Sequence, residues 1–179
     1  LKSFPKDCVS NASNIVSIDL SNNELTTLAK DMSCFKTLSN LRLMTNKLSS
    51  LPFSFTGLSS LKCLDLNANQ FKTFPTQLCD LTGLEELQII QNQITALPES
   101  IGNLSKLQRI SLTANYLTSL PVSMSRCVSL DYLELTSNEF EIFPDVISTL
   151  TNLTFILMSQ NNLSDIPLSL SKLVKLGSI

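Results

Sequence analysis

Asparagine recurs every 23 residues along this chain, at Asn23, Asn46, Asn69, Asn92, Asn115, Asn138 and Asn161, with no insertion between them. Apolar columns keep the same step. One runs Ile18, Leu41, Leu64, Leu87, Ile110, Leu133, Ile156, and two residues on comes Leu20, Leu43, Leu66, Ile89, Leu112, Leu135, Met158. Leu25, Leu48, Phe71, Ile94, Leu117, Phe140 and Leu163 follow each Asn by two positions. Proline recurs in six of the seven units, from Pro52 to Pro167, and Ala29 takes its place in the first. Agreement of so many columns in phase requires a stack of like units rather than a globule around a single core.

Each unit divides in two. The apolar pair before the Asn has period 2, as in a strand with one face buried. Downstream, apolar residues fall three apart (Ile101, Leu104, Leu107), which suits a helical or 3₁₀ turn. No unit is large enough to bury its own apolar face, so neighbours must stack to make a continuous core. Strands stack at about 4.8 Å. The side carrying the turns is bulkier, so the stack curves with its sheet on the concave face. The Asn column sits where the chain leaves the strand and exposes backbone N–H and C=O groups inside the stack. An Asn side chain offers both donor and acceptor, so the column reads as a structural ladder joining each unit to the next. A second column, Ser33, Thr56, Cys79, Gly102, Ser125, Ser148 and Ser171, holds small residues and reads as close approach between neighbouring turns.

The consensus is L-x-x-L-x-L-x-x-N-x-L-x-x-L-P-x-x-a-x-x-L-x-x, where "a" is apolar. It resembles the leucine-rich repeat family over residues 15–179. The resemblance implies an α/β solenoid: a horseshoe with a parallel β-sheet on its concave face and short helical or 3₁₀ turns on its convex face. Residues 15–179 divide into seven full 23-residue repeats plus the start of an eighth at Leu176-Gly177-Ser178-Ile179. Residues 1–14 fit the consensus poorly and read as a degenerate first repeat or an N-terminal cap, with Phe4-Pro5 resembling the end of a unit. A solenoid ending within a strand leaves core and sheet edge open, so a segment of a longer protein is expected.

Composition excludes several function classes. Net charge is −2 with no long single-sign run, which gives a nucleic-acid partner little support. No apolar run approaches a membrane span, and the opening LKSFPKDCVS lacks a continuous apolar segment like that of a signal peptide. With no His there is no Ser-His-Asp or Cys-His arrangement, and four Gly hardly make a phosphate loop. Neither a catalytic site nor a metal or cofactor site is expected, and no small-molecule substrate. Five cysteines at irregular spacing (Cys8, Cys34, Cys63, Cys79, Cys127) suit reduced thiols in a cytoplasmic protein better than a disulfide frame. Cys79 and Cys127 fall in packing columns. Four N-x-S/T sequons, at Asn11, Asn103, Asn152 and Asn162, lie outside the ladder.

Function is expected in the columns that vary, those pointing out from the sheet. Tyr132, Phe155 and Leu157 should adjoin on neighbouring strands as an aromatic and aliphatic patch for a protein partner. Arg42, Asp65, Glu86, Arg109 and Glu134, with Asp19, form a mixed-charge strip that could set partner specificity or be a solvated surface. The 23-residue unit and the absence of cap cysteines resemble the intracellular repeats of Ras-pathway scaffolds and those attached to Roco GTPases, cyclases and phosphatases. That resemblance implies a protein-binding scaffold for a signalling partner. Two alternatives stand beside it: a regulatory module of a larger enzyme whose catalysis lies elsewhere, and an extracellular or pathogen-associated recognition protein.

Overall fold

Seven three-residue strands form one parallel sheet in strict chain order: β1 (Ser17–Asp19), β2 (Asn40–Arg42), β3 (Cys63–Asp65), β4 (Glu86–Gln88), β5 (Arg109–Ser111), β6 (Tyr132–Glu134) and β7 (Phe155–Leu157). The computed structural model describes residues 1, 2, 4 and 12–179. Pro5, Cys8 and Asn11, and with them most of the expected first unit or cap, lie outside the described residues. Every strand pairs with the next 23 residues on: Leu64 lies beside Leu41 and Leu87, and Ile110 beside Leu133. The register is therefore the repeat itself, and each column of the sequence becomes a row across the sheet. Phe155 also makes an isolated parallel bridge to Ser178. This is the leucine-rich repeat solenoid that the consensus implies, with 3₁₀ turns rather than α-helices opposite the sheet.

Proline decides where those turns begin. In six units a five-residue 3₁₀ helix follows it directly: Phe53–Gly57, Thr76–Asp80, Glu99–Asn103, Val122–Arg126, Asp145–Thr149 and Leu168–Lys172. Each of the six prolines is the N-cap, extended, with φ between −67° and −76°. Its ring fixes φ and its carbonyl accepts the first bond, as in Ile101 N–H to Pro98 O at 3.0 Å. The unit with Ala29 in place of proline has turns over the same stretch and no 3₁₀ helix. The small-residue column finishes the helices: the hydroxyls of Thr56, Ser125 and Ser148 donate back to the carbonyls of Phe53, Val122 and Asp145. At Gly102 a Cβ would meet the Ser123 carbonyl oxygen at 2.4 Å, so the neighbouring turn admits only glycine there.

The core fills the space between sheet and turns. Leu41, Leu87, Ile110 and Leu133 from the strands are wholly buried, as are Phe55, Ile101 and Met124 from the turns. Phe4 is buried edge-on against Phe35, with ring centroids 6.0 Å apart. Cys127 occupies a leucine position at full burial, which pushes its thiol up to about 11 and leaves it protonated. Cys34, Cys63, Cys79 and Cys127 are all free thiols.

Between each strand and its Asn the chain turns through the left-handed region. Asn22, Thr45, Ala68, Gln91, Ala114, Ser137 and Gln160 have φ from 50° to 57°. None of them is glycine, although this conformation costs an L-residue about 1–2 kcal/mol. Thr45 is β-branched and exposed, the least suited of the seven. Thr45→Gly is therefore expected to raise stability by about 0.5–1 kcal/mol after the greater chain entropy of glycine is deducted. A lowered urea midpoint would show that the strain is absent.

Candidate partner-binding face

The parallel register carries the outward side chains of the strands into two rows. One runs Ser17, Asn40, Cys63, Glu86, Arg109, Tyr132, Phe155; the other runs Asp19, Arg42, Asp65, Gln88, Ser111, Glu134, Leu157. The buried residues between them are uniformly Leu or Ile. The outward ones change chemistry from strand to strand, and the change has a direction: charged and amide groups cluster on β1–β4, aromatic and aliphatic groups on β6–β7.

At the aromatic end, the Tyr132 and Phe155 rings lie 6.1 Å apart at 43°. The Arg109 guanidinium stands 4.4 Å from the Tyr132 ring centroid, a cation–π contact worth about 0.5–1 kcal/mol at an exposed site. The Tyr132 hydroxyl donates to Glu134 Oε2 at 3.5 Å, and burial with that nearby carboxylate raises its pKa. The structure thus brings Tyr132, Phe155 and Leu157 onto adjacent strands and adds Arg109 and Glu134 to the group. Phe155 remains 47% exposed, while Tyr132 and Leu157 are half-buried. An aromatic ring left this open on a rigid sheet is a feature of contact surfaces.

At the other end a shallow depression of about 500 Å³ spans β1–β4, lined by Asp19, Arg42, Cys63, Asp65, Glu86 and Gln88 among others. Arg42 meets Asp19 at 3.8 Å, both well exposed, so the pair contributes at most about 1 kcal/mol. The Ser21 hydroxyl and backbone N–H hold the Asp19 carboxyl below its ordinary range. Gln88 donates to Glu86 at 2.7 Å and accepts from Asn67 at 3.0 Å. Asn67 in turn donates its N–H to Asp65 at 2.9 Å. These bonds fix the carboxylates in place without neutralising them. The mixed-charge strip expected from the sequence is thus one weak ion pair beside two carboxylates, Asp65 and Glu86, bonded among the described residues to neutral donors.

Asp65 differs from the others. Burial raises its pKa, and the Asn67 N–H and Arg42 only partly oppose this. A carboxyl with a raised folded pKa adds stability that is fully present below its unfolded pKa and is lost as pH rises through the folded value. At neutral pH the charge is therefore held at a net cost. Asp65→Asn is expected to leave the melting temperature at pH 7 equal to or slightly above that of the parent, and to reduce the parent's gain in stability on acidification. A clear loss of stability at pH 7 would contradict this.

The ladder residues stand apart from this face. Asn46, Asn69, Asn92, Asn115 and Asn138 are buried, while Asn23 and Asn161 at the ends are half-buried. Asn92 is representative. Its Nδ2 donates to Leu66 O, Ile89 O and Ile90 O at 3.1–3.3 Å, and its Oδ1 accepts the Phe71 N–H at 3.1 Å. Leu66 and Phe71 belong to the preceding unit, so each such Asn binds two units together. Asn23 differs in that its Oδ1 accepts from the exposed Leu1 amine. With every donor and acceptor committed to backbone, none of the buried five is free to meet a ligand.

Among the described residues no group of three or more Cys, Asp and Glu side chains is arranged to hold a metal ion, and no helix is long and apolar enough to cross a membrane. A family model described as Leucine rich repeat matches residues 36–94 and 82–140. A leucine-rich repeat protein of Leptospira interrogans is 36% identical and superposes with a TM-score of 0.97 over 99% of this chain. The match covers 45% of that protein, so the chain spans less than half its length. The PEPR1–AtPEP1 structure is 30% identical, with a TM-score of 0.81, over 93% of this chain and 24% of its own. The plant peptide hormone receptor RGFR1, in complex with RGF2, is 26% identical, with a TM-score of 0.75, over 100% of this chain and 34% of its own. No curated protein matches the chain significantly.

Proposed function

The chain belongs to the leucine-rich repeat family, and from that premise we propose that it is a protein-interaction module that docks its partner on the outer, concave face of the sheet. The observation that carries the reading is the contrast between rows. Inward rows are chemically uniform, while the outward rows grade from carboxylates to an open aromatic pair held by Arg109. Such a surface discriminates partners by charge at one end and by apolar contact at the other. Tyr132, Phe155 and Leu157 form its apolar anchor, and Arg42, Asp65, Glu86, Arg109 and Glu134 its charged part. The partner is a protein in a signalling assembly, met in the cytoplasm, and catalysis lies with that partner or with another part of a larger protein.

A second reading has specific support. One of the similar structures is named as a plant peptide hormone receptor in complex with RGF2, which favours the recognition reading, with a peptide as the ligand. Asn103, Asn152 and Asn162 are exposed sequon positions, so glycans on them in the native protein would decide for an extracellular setting.

Both readings share a test of the face itself. The partner is isolated by affinity purification, and its affinity for the parent chain and for Tyr132→Ala/Phe155→Ala is then measured with purified components. A loss of tenfold or more is expected, with the unfolding midpoint little changed, since neither side chain is in the core. Equal affinity for the double variant would remove this face as the site.

A further inference from the structure

We infer that the occupant of the face is an extended peptide segment carrying a lysine or arginine and, about four residues from it in either direction, an aromatic or large aliphatic side chain. This rests on the sheet-face reading above and deepens it.

The face has two poles with unmet needs. On β3 and β4, Asp65 and Glu86 have neutral hydrogen-bond donors but, among the described residues, no ion-pair partner. Arg42 is turned toward Asp19, and Arg109 lies over the Tyr132 ring. Four carboxylates share the face with two guanidiniums, so its complement is cationic. The raised pKa of Asp65 points the same way, because a bound cation would offset the burial that disfavours its charge. On β6 and β7 the second pole is apolar: Phe155 is 47% exposed and meets the Tyr132 ring at a tilt.

The spacing follows from the sheet. From midway between β3 and β4 to midway between β6 and β7 is three strand separations, about 14 Å. An extended chain advances about 3.3 Å per residue, so the two anchors lie about four residues apart. An even interval also places both side chains on the same side of the peptide, facing the sheet together. An interval of three or five would turn one anchor away.

The test uses the whole chain. A random nonapeptide phage library is selected on it, and the enriched peptides are synthesised with a fluorescein label for anisotropy measurements. Enrichment of Lys or Arg four residues from Phe, Tyr, Trp or Leu is expected. Asp65→Asn/Glu86→Gln keeps the shape and the hydrogen-bond acceptors, and it is expected to weaken such a peptide tenfold or more. Replacing the peptide's basic residue by glutamine should weaken it equally against the parent but less than twofold against that variant. Peptides that enrich without the basic residue, yet lose affinity to Tyr132→Ala/Phe155→Ala, would overturn this inference and leave the sheet-face reading standing. Peptides indifferent to both double variants would overturn both, and failure to enrich any basic–apolar pairing overturns the inference.

Discussion

Asn92→Ala is expected to lower the free energy of unfolding by about 3 kcal/mol, although the substituted side chain is polar and touches nothing outside the chain. Alanine leaves the buried Phe71 N–H with no acceptor and takes one of two donors from Leu66 O, which keeps only Asn69 Nδ2 among these side chains. Each buried backbone group left unpaired costs about 1–3 kcal/mol. Asn92→Asp separates hydrogen bonding from shape. A carboxylate keeps the size of the side chain but directs negative charge at the carbonyls of Leu66, Ile89 and Ile90. At neutral pH it should destabilise more than alanine. Burial beside three carbonyls raises the folded pKa of this new carboxyl, so part of the lost stability should return as pH falls toward the unfolded value, near 4. Asn23→Ala should cost less than about 1 kcal/mol, because its Oδ1 serves an exposed amine rather than a buried backbone N–H. Urea midpoints of the three variants, read by circular dichroism at neutral and acidic pH, check this. The ladder would be refuted by an Asn92→Ala midpoint equal to that of the parent.

Phe71→Ala is expected to cost still more, about 4 kcal/mol. Phe71 is wholly buried, in a column whose other members are Leu, Ile and Phe, and its N–H is the one that Asn92 accepts. Removing the ring leaves a cavity between two units that the rigid repeat on either side cannot collapse to fill. Phe71→Leu, which matches the residue at the equivalent position of four other units once Ile94 is set aside, should cost only about 1 kcal/mol. Phe53→Ala supplies the contrast. Phe53 begins a 3₁₀ turn and is 82% exposed, so its loss should change stability by less than about 0.5 kcal/mol. The same three midpoints in one buffer settle the order. Because repeat arrays can unfold in parts, coincidence of fluorescence and circular-dichroism transitions should accompany each value.

Most of the fold was legible because the repeat register is also the sheet register. Once Leu64 and Leu87 are seen to be 23 apart, their pairing across β3 and β4 follows, and so do the outward rows. The Asn column was legible for a chemical reason, since few side chains both donate to and accept from backbone in a buried turn. Two features were not. The residue before each Asn takes a positive φ, yet that column reads Asn, Thr, Ala, Gln, Ala, Ser, Gln, with no glycine to announce it. The conformation is imposed by the bonds on either side rather than by local preference. The state of the charged strip was also hidden. Sequence placed Arg42, Asp65, Glu86 and Arg109 on one face but could not show that Arg109 covers Tyr132, or that Asp65 and Glu86 bond only to neutral donors. Those are matters of side-chain conformation between strands, which a column of letters does not carry.

Everything proposed for the outer face presumes that the Asn column belongs to the scaffold, leaving recognition to the residues between. Amide hydrogen exchange tests that presumption most directly. The amides of Leu48, Phe71, Ile94 and Leu117 lie beyond the strands, and each has an Asn Oδ1 as its acceptor. They should exchange as slowly as the strand amides of Leu64 and Leu87, and in Asn92→Ala the Phe71 amide should lose protection far more than the other three. Exchange of all four at the rate of open loops in the parent chain, or unchanged protection of Phe71 in Asn92→Ala, would contradict the ladder and the division of roles built on it.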